Sequence, residues 1–210
     1  MSKTRSTSVS VSNIDENTMK IIVNKLSSKI TNKIDAQLEI LGKQIEKMDQ
    51  LTHSNKREIA FVNSKLDVLD QRSRSNTLRL VGMKEETDEN LPAKVLHIFN
   101  EELKIKCTLG DLNKTFRSGK FIENSTKART VIIEFVSYLK RNEIYKSRSN
   151  LKGTDLYLNE DLTGKRYHLL ILTKKKYGGK NVWTANGRVF AKHGNNVKVI
   201  NEEEDLNLSI

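Results

Sequence analysis

The residues here with chemistry to offer are 37 lysines and arginines, and what they offer is attraction for an anion. Against 26 aspartates and glutamates they leave a net charge of +11. The surplus is uneven. Residues 1–71 carry 11 basic and 9 acidic side chains, residues 72–158 carry 17 and 11, and residues 159–210 carry 9 and 6. Four of those last six acids are Glu202 to Asp205, so residues 159–201 are strongly basic. Such a bias predicts a polyanionic partner, nucleic acid first and an anionic membrane surface second; an idle solvated face is the plainer alternative. Acid–base and metal chemistry have little to work with. His53, His97, His168 and His193 are scattered, Glu134 and Glu160 stand without a partner carboxylate, and no Walker loop, GxGxxG or HExxH occurs. The expectation is a protein that is no enzyme, with no catalytic residue, no metal and no cofactor. Cys107, the single cysteine, reads as a small core residue in a reducing, intracellular setting. No apolar run approaches a membrane span, and Met1 to Ser12 lacks the apolar core of a signal peptide.

What must position these cations begins with a long seam. Ile34, Leu38, Leu41, Ile45, Met48, Ile59, Val62, Leu66 and Leu69 recur in steps of four and three, with Thr52 and Asn55 filling the two missing places. Nine apolar residues in eleven seam positions predict a coiled coil, since one narrow stripe cannot be buried against its own chain. Ile34 and Val62 at d positions tilt the strand number toward three or more, so a parallel homotrimer is expected over a dimer. The Thr52 and Asn55 layer sets register or, alternatively, is solvated slippage. Spacings of four from Leu26 through Ile34 to Leu38 break the heptad phase as a stutter does.

The chain divides into a disordered tail (1–13), a helical oligomerisation region (14–71), a second domain (72–158), a basic third domain (159–201) and an acidic tail (202–210). Residues 70–76 lose the seam and read as a hinge. Thr77 to Val81 alternates like a strand, and a helix follows Pro92 with Val95, Leu96, Ile98, Phe99 and Leu103 inward. Strands are expected within 111–120 and 129–135. A second helix, 137–149, carries Leu139, Ile144 and Tyr145 inward and Lys140, Arg141, Lys146 and Arg148 outward; Leu156 to Leu158 closes the set. That order is βαββαβ. The fold class is therefore α+β: a long N-terminal coiled-coil helix, an RRM-like βαββαβ domain and a small α/β C-terminal domain. The expected central strands lack the aromatic pair with which RNA-recognition motifs stack bases, which leaves the grip to Arg and Lys on phosphates. In the third domain a helix from about Asp161 to Tyr177 shows Lys165, Arg166 and Lys174 to Lys176 on its polar side. Asn186-Gly187 turns a hairpin. Trp183 and Phe190 read as core of this domain, with base stacking the alternative. The acidic tail reads as solvation in preference to a cover over the basic surface.

These pieces, in this order, resemble a known family. The seam, then Asp70 to Gly82, Arg129 to Phe135 running into Ser137-Tyr138, and Leu158-Asn159-Glu160-Asp161-Leu162-Thr163 are similar to the first-open-reading-frame protein of LINE-type retrotransposons. Val182-Trp183, Asn186 to Phe190 and Val197 to Ile200 resemble the C-terminal domain of baculovirus few-polyhedra proteins and their insect transposon relatives. The resemblance implies a homotrimeric chaperone that binds single-stranded RNA or DNA within cytoplasmic ribonucleoprotein particles, with the nucleus a second compartment. It implies nucleic-acid contacts at Arg117, Arg129, Arg141, Arg148 and Arg166, and more loosely at Lys174, Lys175, Lys176 and Arg188. Where relatives often show an aromatic-Ser-Arg-Arg-Asn hinge, this chain has Arg72-Ser73-Arg74-Ser75-Asn76. The alternative function is a coiled-coil adaptor of few-polyhedra-like origin that acts through protein–protein contacts.

Overall fold

The computed structural model describes residues 15–122 and 127–207. The expected disordered tail, 1–13, and the last three residues of the acidic tail lie outside them. The chain is mixed α+β and divides into two units, Met1–Phe61 and Val62–Ile210. Helix α1 runs unbroken over Glu16–Ser73. It is started by Asp15, whose carboxylate accepts the Thr18 amide at 2.8 Å and so satisfies one of the four free N–H groups of the first turn. Neither the stutter nor Gly42 interrupts it.

Every residue of the first unit from Asp15 to Phe61 is exposed. The seam is part of that exposure: Ile34, Leu38, Leu41, Ile45, Met48 and Ile59 are 49–67% accessible in the single chain.

In the second unit, strands β1 (Thr77–Val81), β2 (Leu112–Arg117), β3 (Val131–Phe135) and β4 (Tyr157–Glu160) form an antiparallel sheet ordered β2-β3-β1-β4. Helices α2 (Leu91–His97), extended by a wide turn over Ile98–Glu102, and α3 (Tyr138–Lys146) share one core with the sheet. Leu78, Leu80, Val131, Ile133 and Phe135 meet Val95, Phe99 and Ile144 there, and the Phe99 and Phe135 rings stack with centroids 5.9 Å apart. Each such side chain contributes about 1.5–3 kcal/mol by leaving water. Cys107 joins this core, and burial pushes its thiol up to about 11, so it stays protonated and unreactive at neutral pH. Gly82 lets the chain leave β1: its φ is +94°, and a Cβ would lie 1.9 Å from the Asp155 carbonyl oxygen.

The remaining elements are α4 (Gly164–Tyr177), the three-stranded meander β5 (Val182–Ala185), β6 (Arg188–His193) and β7 (Asn196–Ile200), and a final turn of helix, α5 (Glu204–Asn207). Thr163 caps α4 through the Arg166 amide, and Asn186-Gly187, both with positive φ, make the tight turn between β5 and β6. Leu169, Val182, Val189, Ala191, Ile200 and Leu206 form a second core.

Three sequence expectations are corrected. Arg141, expected outward on α3, is only 2% exposed, and Leu139, expected inward, is 78% exposed. The buried stripe of α3 is in fact Arg141, Ile144 and Tyr145, a proper helical spacing whose first member is charged because Glu160 waits for it. Trp183 and Phe190 are not core. They pair across β5 and β6 on the face opposite Val182 and Ala191, stacked at 5.7 Å and 7°, with Trp183 36% exposed.

Candidate functional site

At the carboxyl end of α1, within the second unit, a cavity of about 560 Å³ is lined by six cationic side chains: Arg72, Arg74, Arg141, Lys165, Arg166 and Arg188. Asp67 and Glu202 are the acids on its wall. Four separate elements supply these groups, and a polar framework holds them in place. The Gln71 side chain is buried; its Nε2 donates to the Asp161 carbonyl at 2.9 Å and its Oε1 accepts the Thr163 amide at 3.0 Å. Gly187 packs so closely on it that a Cβ would lie 2.6 Å from the Gln71 side chain.

The arginines divide into those spent on the framework and those free. Arg166 donates to Asp67 at 2.9 Å and to the Gly187 carbonyl at 2.8 Å. Burial alone would raise the Asp67 carboxyl, but hydrogen bonds from the Thr163 hydroxyl and Arg166 outweigh it and hold the group below its ordinary range. Arg74 bridges Asp70 at 2.8 Å and Asp161 at 3.0 Å. Arg141 meets Glu160 at 2.8 Å with both side chains almost wholly buried, and Glu160 also accepts the Gly187 amide at 3.2 Å. Arg141 retains surplus donors, since its Nε and Nη1 have no acceptor while its guanidinium lies 5.0 Å from the Tyr145 ring centre. Arg72 and Arg188 are exposed and engage no carboxylate among the described residues. Lys165 has only a loose approach to Glu202, 3.9 Å. These three cations are the ones available to an incoming anion.

The structure thus brings together Arg141, Arg166 and Arg188 of the nine expected contact residues and places the others elsewhere. The Arg117 side chain is only 5% exposed, donating to Glu89 at 2.7 and 3.0 Å and to the carbonyls of Met83, Lys84 and Arg129. Arg129 pairs with Glu85 and lies over the Phe121 ring. Arg148 stacks on Tyr145 at 4.1 Å and donates to its carbonyl. Lys174, Lys175 and Lys176 form an exposed last turn of α4, with Lys176 donating to the Leu206 carbonyl. Arg72, Arg74 and Lys165 were not among the expected contacts. The signal for Arg72 and Arg74 is the basic run of residues 70–76 that replaces the seam after Leu69, and Lys165 stands beside Arg166 on the polar side of α4.

A second surface also escaped the sequence reading. Sheet register puts Phe116 opposite Ile132 and Tyr157 opposite Val81, on the face away from the core, where the two aromatics are 49% and 61% exposed. Aromatics are present on this face after all, but on the two edge strands.

The Arg117–Glu89 pair makes a pH prediction. Hydrogen bonds from Arg117, and secondarily from Lys94, hold the Glu89 carboxyl down to about 2 from an ordinary 4.5. The unfolded chain therefore takes up this proton first as the pH falls. The pair's stabilisation is complete above 4.5 and is lost on the way down to about 2. Urea midpoints of the wild-type chain should fall across that window, while Glu89→Gln should start lower and fall less steeply. Parallel curves would contradict the assignment.

No protein-family model matches the chain, and comparison with curated proteins gives no match. Among the described residues, no helix is long and apolar enough to cross a membrane.

Proposed function

We propose that this chain is a self-associating, sequence-blind grip for single-stranded nucleic acid, working as a homotrimer whose coiled coil gathers basic heads. The observation that carries this reading is the cavity at the end of α1, where six cations face two acids and three of the cations, Arg72, Lys165 and Arg188, are free or loosely held. A concave site with surplus guanidinium donors suits phosphate oxygens, which accept paired N–H groups. Sequence blindness follows from contacts that reach the backbone alone.

Two further features support it. The exposed seam of α1 is the pattern of a coiled coil, and at least two other helices would be needed to cover a stripe with β-branched residues at d. The strand order β2-β3-β1-β4, with α2 and α3 sharing the core on one face, is the arrangement expected of an RRM-like domain. Its outer face offers Phe116 and Tyr157 to bases, sequence-tolerant contacts worth about 1–3 kcal/mol each where they form. Fold alone does not specify the ligand, and the reading rests on the charges.

Filter binding of labelled single-stranded RNA tests it. If each head neutralises three phosphates, log affinity should fall with log salt at a slope of about −2 per engaged head. A salt-independent affinity, or no retention at low salt, would refute the proposal. The adaptor reading has one observation in its favour: Leu109, Val136 and Leu139 are 63%, 63% and 78% exposed, and a Val136 to Asp111 hydrogen bond holds two of their segments together.

A further inference from the structure

We infer that the acidic carboxyl-terminal segment is an intramolecular competitor for the strand, with Glu202 standing at the cavity where a phosphate would meet Lys165. The inference rests on the nucleic-acid reading above and concerns the regulation of that same site.

The segment has a firm mount and a loose tip. Its mount is Leu206, 9% exposed in the core with Leu169, Val189 and Ile200. Lys176 and Lys198 donate to the carbonyls of Leu206 and Asp205, the latter at 2.9 Å. The Asp205 carboxylate accepts the amides of Asn201 at 2.8 Å and Glu202 at 3.3 Å, which fixes the turn out of β7 and sets the direction in which Glu202 leaves it. A plain solvating tail has no reason to be docked in this way. The tip is different. Glu202 lines the cavity, yet its carboxylate stays 3.9 Å from the Lys165 ammonium, with both side chains more than half exposed. Glu203 makes a similar approach, 3.5 Å, to His168 on the same helix. Ion pairs this exposed contribute little to stability, so they are readily exchanged.

A carboxylate tethered beside a cationic site is present at high effective concentration and must be displaced before a phosphate takes its place. One carboxylate can hold off a weak or singly charged anion. It gives way to a strand that offers several phosphates in a row. The device therefore lowers affinity for small anions and short oligonucleotides more than for long ones.

The 210-residue chain and a fluorescein-labelled single-stranded RNA ten-mer test this by anisotropy at moderate salt. Glu202→Gln should tighten binding about fivefold. Glu204→Gln makes the same change of charge in the same segment but at a residue that does not line the cavity, and should leave affinity unchanged. An exposed side chain is altered in both, so both variants should fold as the wild type does. No tightening by Glu202→Gln, or equal tightening by Glu204→Gln, overturns the inference while wild-type binding upholds the nucleic-acid reading. Failure of the wild type and both variants to bind the ten-mer and a long single strand alike overturns that reading and the inference with it.

Discussion

With aspartate at both Ile45 and Ile59, the chain is expected to run as a monomer and to bind long single-stranded RNA roughly a hundredfold or more weakly. The two isoleucines are 57% and 59% exposed in the single chain, so nothing within it is disturbed by the change. In a coiled coil the same positions are buried knobs, and a carboxylate there carries a desolvation cost that no partner repays. Affinity falls because one head meets the strand alone. In the proposed trimer a linked second and third head would bind intramolecularly, and that gain would disappear with the stalk although no proposed contact to RNA has been touched. Light scattering checks the mass and anisotropy the affinity. An unchanged mass would show that the seam does not hold copies together; a reduced mass with full affinity would show that the heads never acted jointly.

The second large effect is on stability. Arg141→Ala is expected to destabilise the second unit by about 3–5 kcal/mol, read as a lower urea midpoint, because Glu160 is left charged and buried. Arg141 and Glu160 side chains are 3% and 1% exposed, and among the described residues no other cation pairs with the Glu160 carboxylate. Glu160 also accepts the Gly187 amide, so the loss spreads to the β5–β6 turn and to the cavity wall beside it. Arg141→Met combined with Glu160→Gln should recover most of the stability: the amide oxygen of glutamine can still receive Gly187, and no bare charge remains. An outward, phosphate-gripping Arg141 behaves otherwise, losing affinity with an unchanged midpoint. Such a result would contradict the buried pairing.

The contrast between Arg141 and the seam shows what was legible in the sequence. The helix over Ile34 to Leu69 could be read because apolar residues in steps of three and four are a local, repeating pattern, and β1 and β3 because alternation over five residues is local too. Thr163 and Asn186-Gly187 declared a helix start and a tight turn by residue type alone. Arg141 could not be read, since a charged residue is inward only when an acid 19 positions away is inward opposite it. Leu139 was misplaced by the same error of phase. Phe116 and Tyr157 face outward through sheet register, a property of paired strands and not of either alone. The cavity was the least visible feature. Its framework joins Gln71 to Thr163 and Asp67 to Arg166, contacts 92 and 99 residues apart, and no local pattern encodes them. Arg72 and Arg74 therefore looked like a loose basic hinge, when Arg74 is anchored and Arg72 is the free cation beside it.

Self-association is the central claim, and multi-angle light scattering of the purified chain at micromolar concentration tests it most directly. The proposed trimer gives a mass three times that of the 24.0 kDa chain. A mass of one chain at that concentration would contradict it.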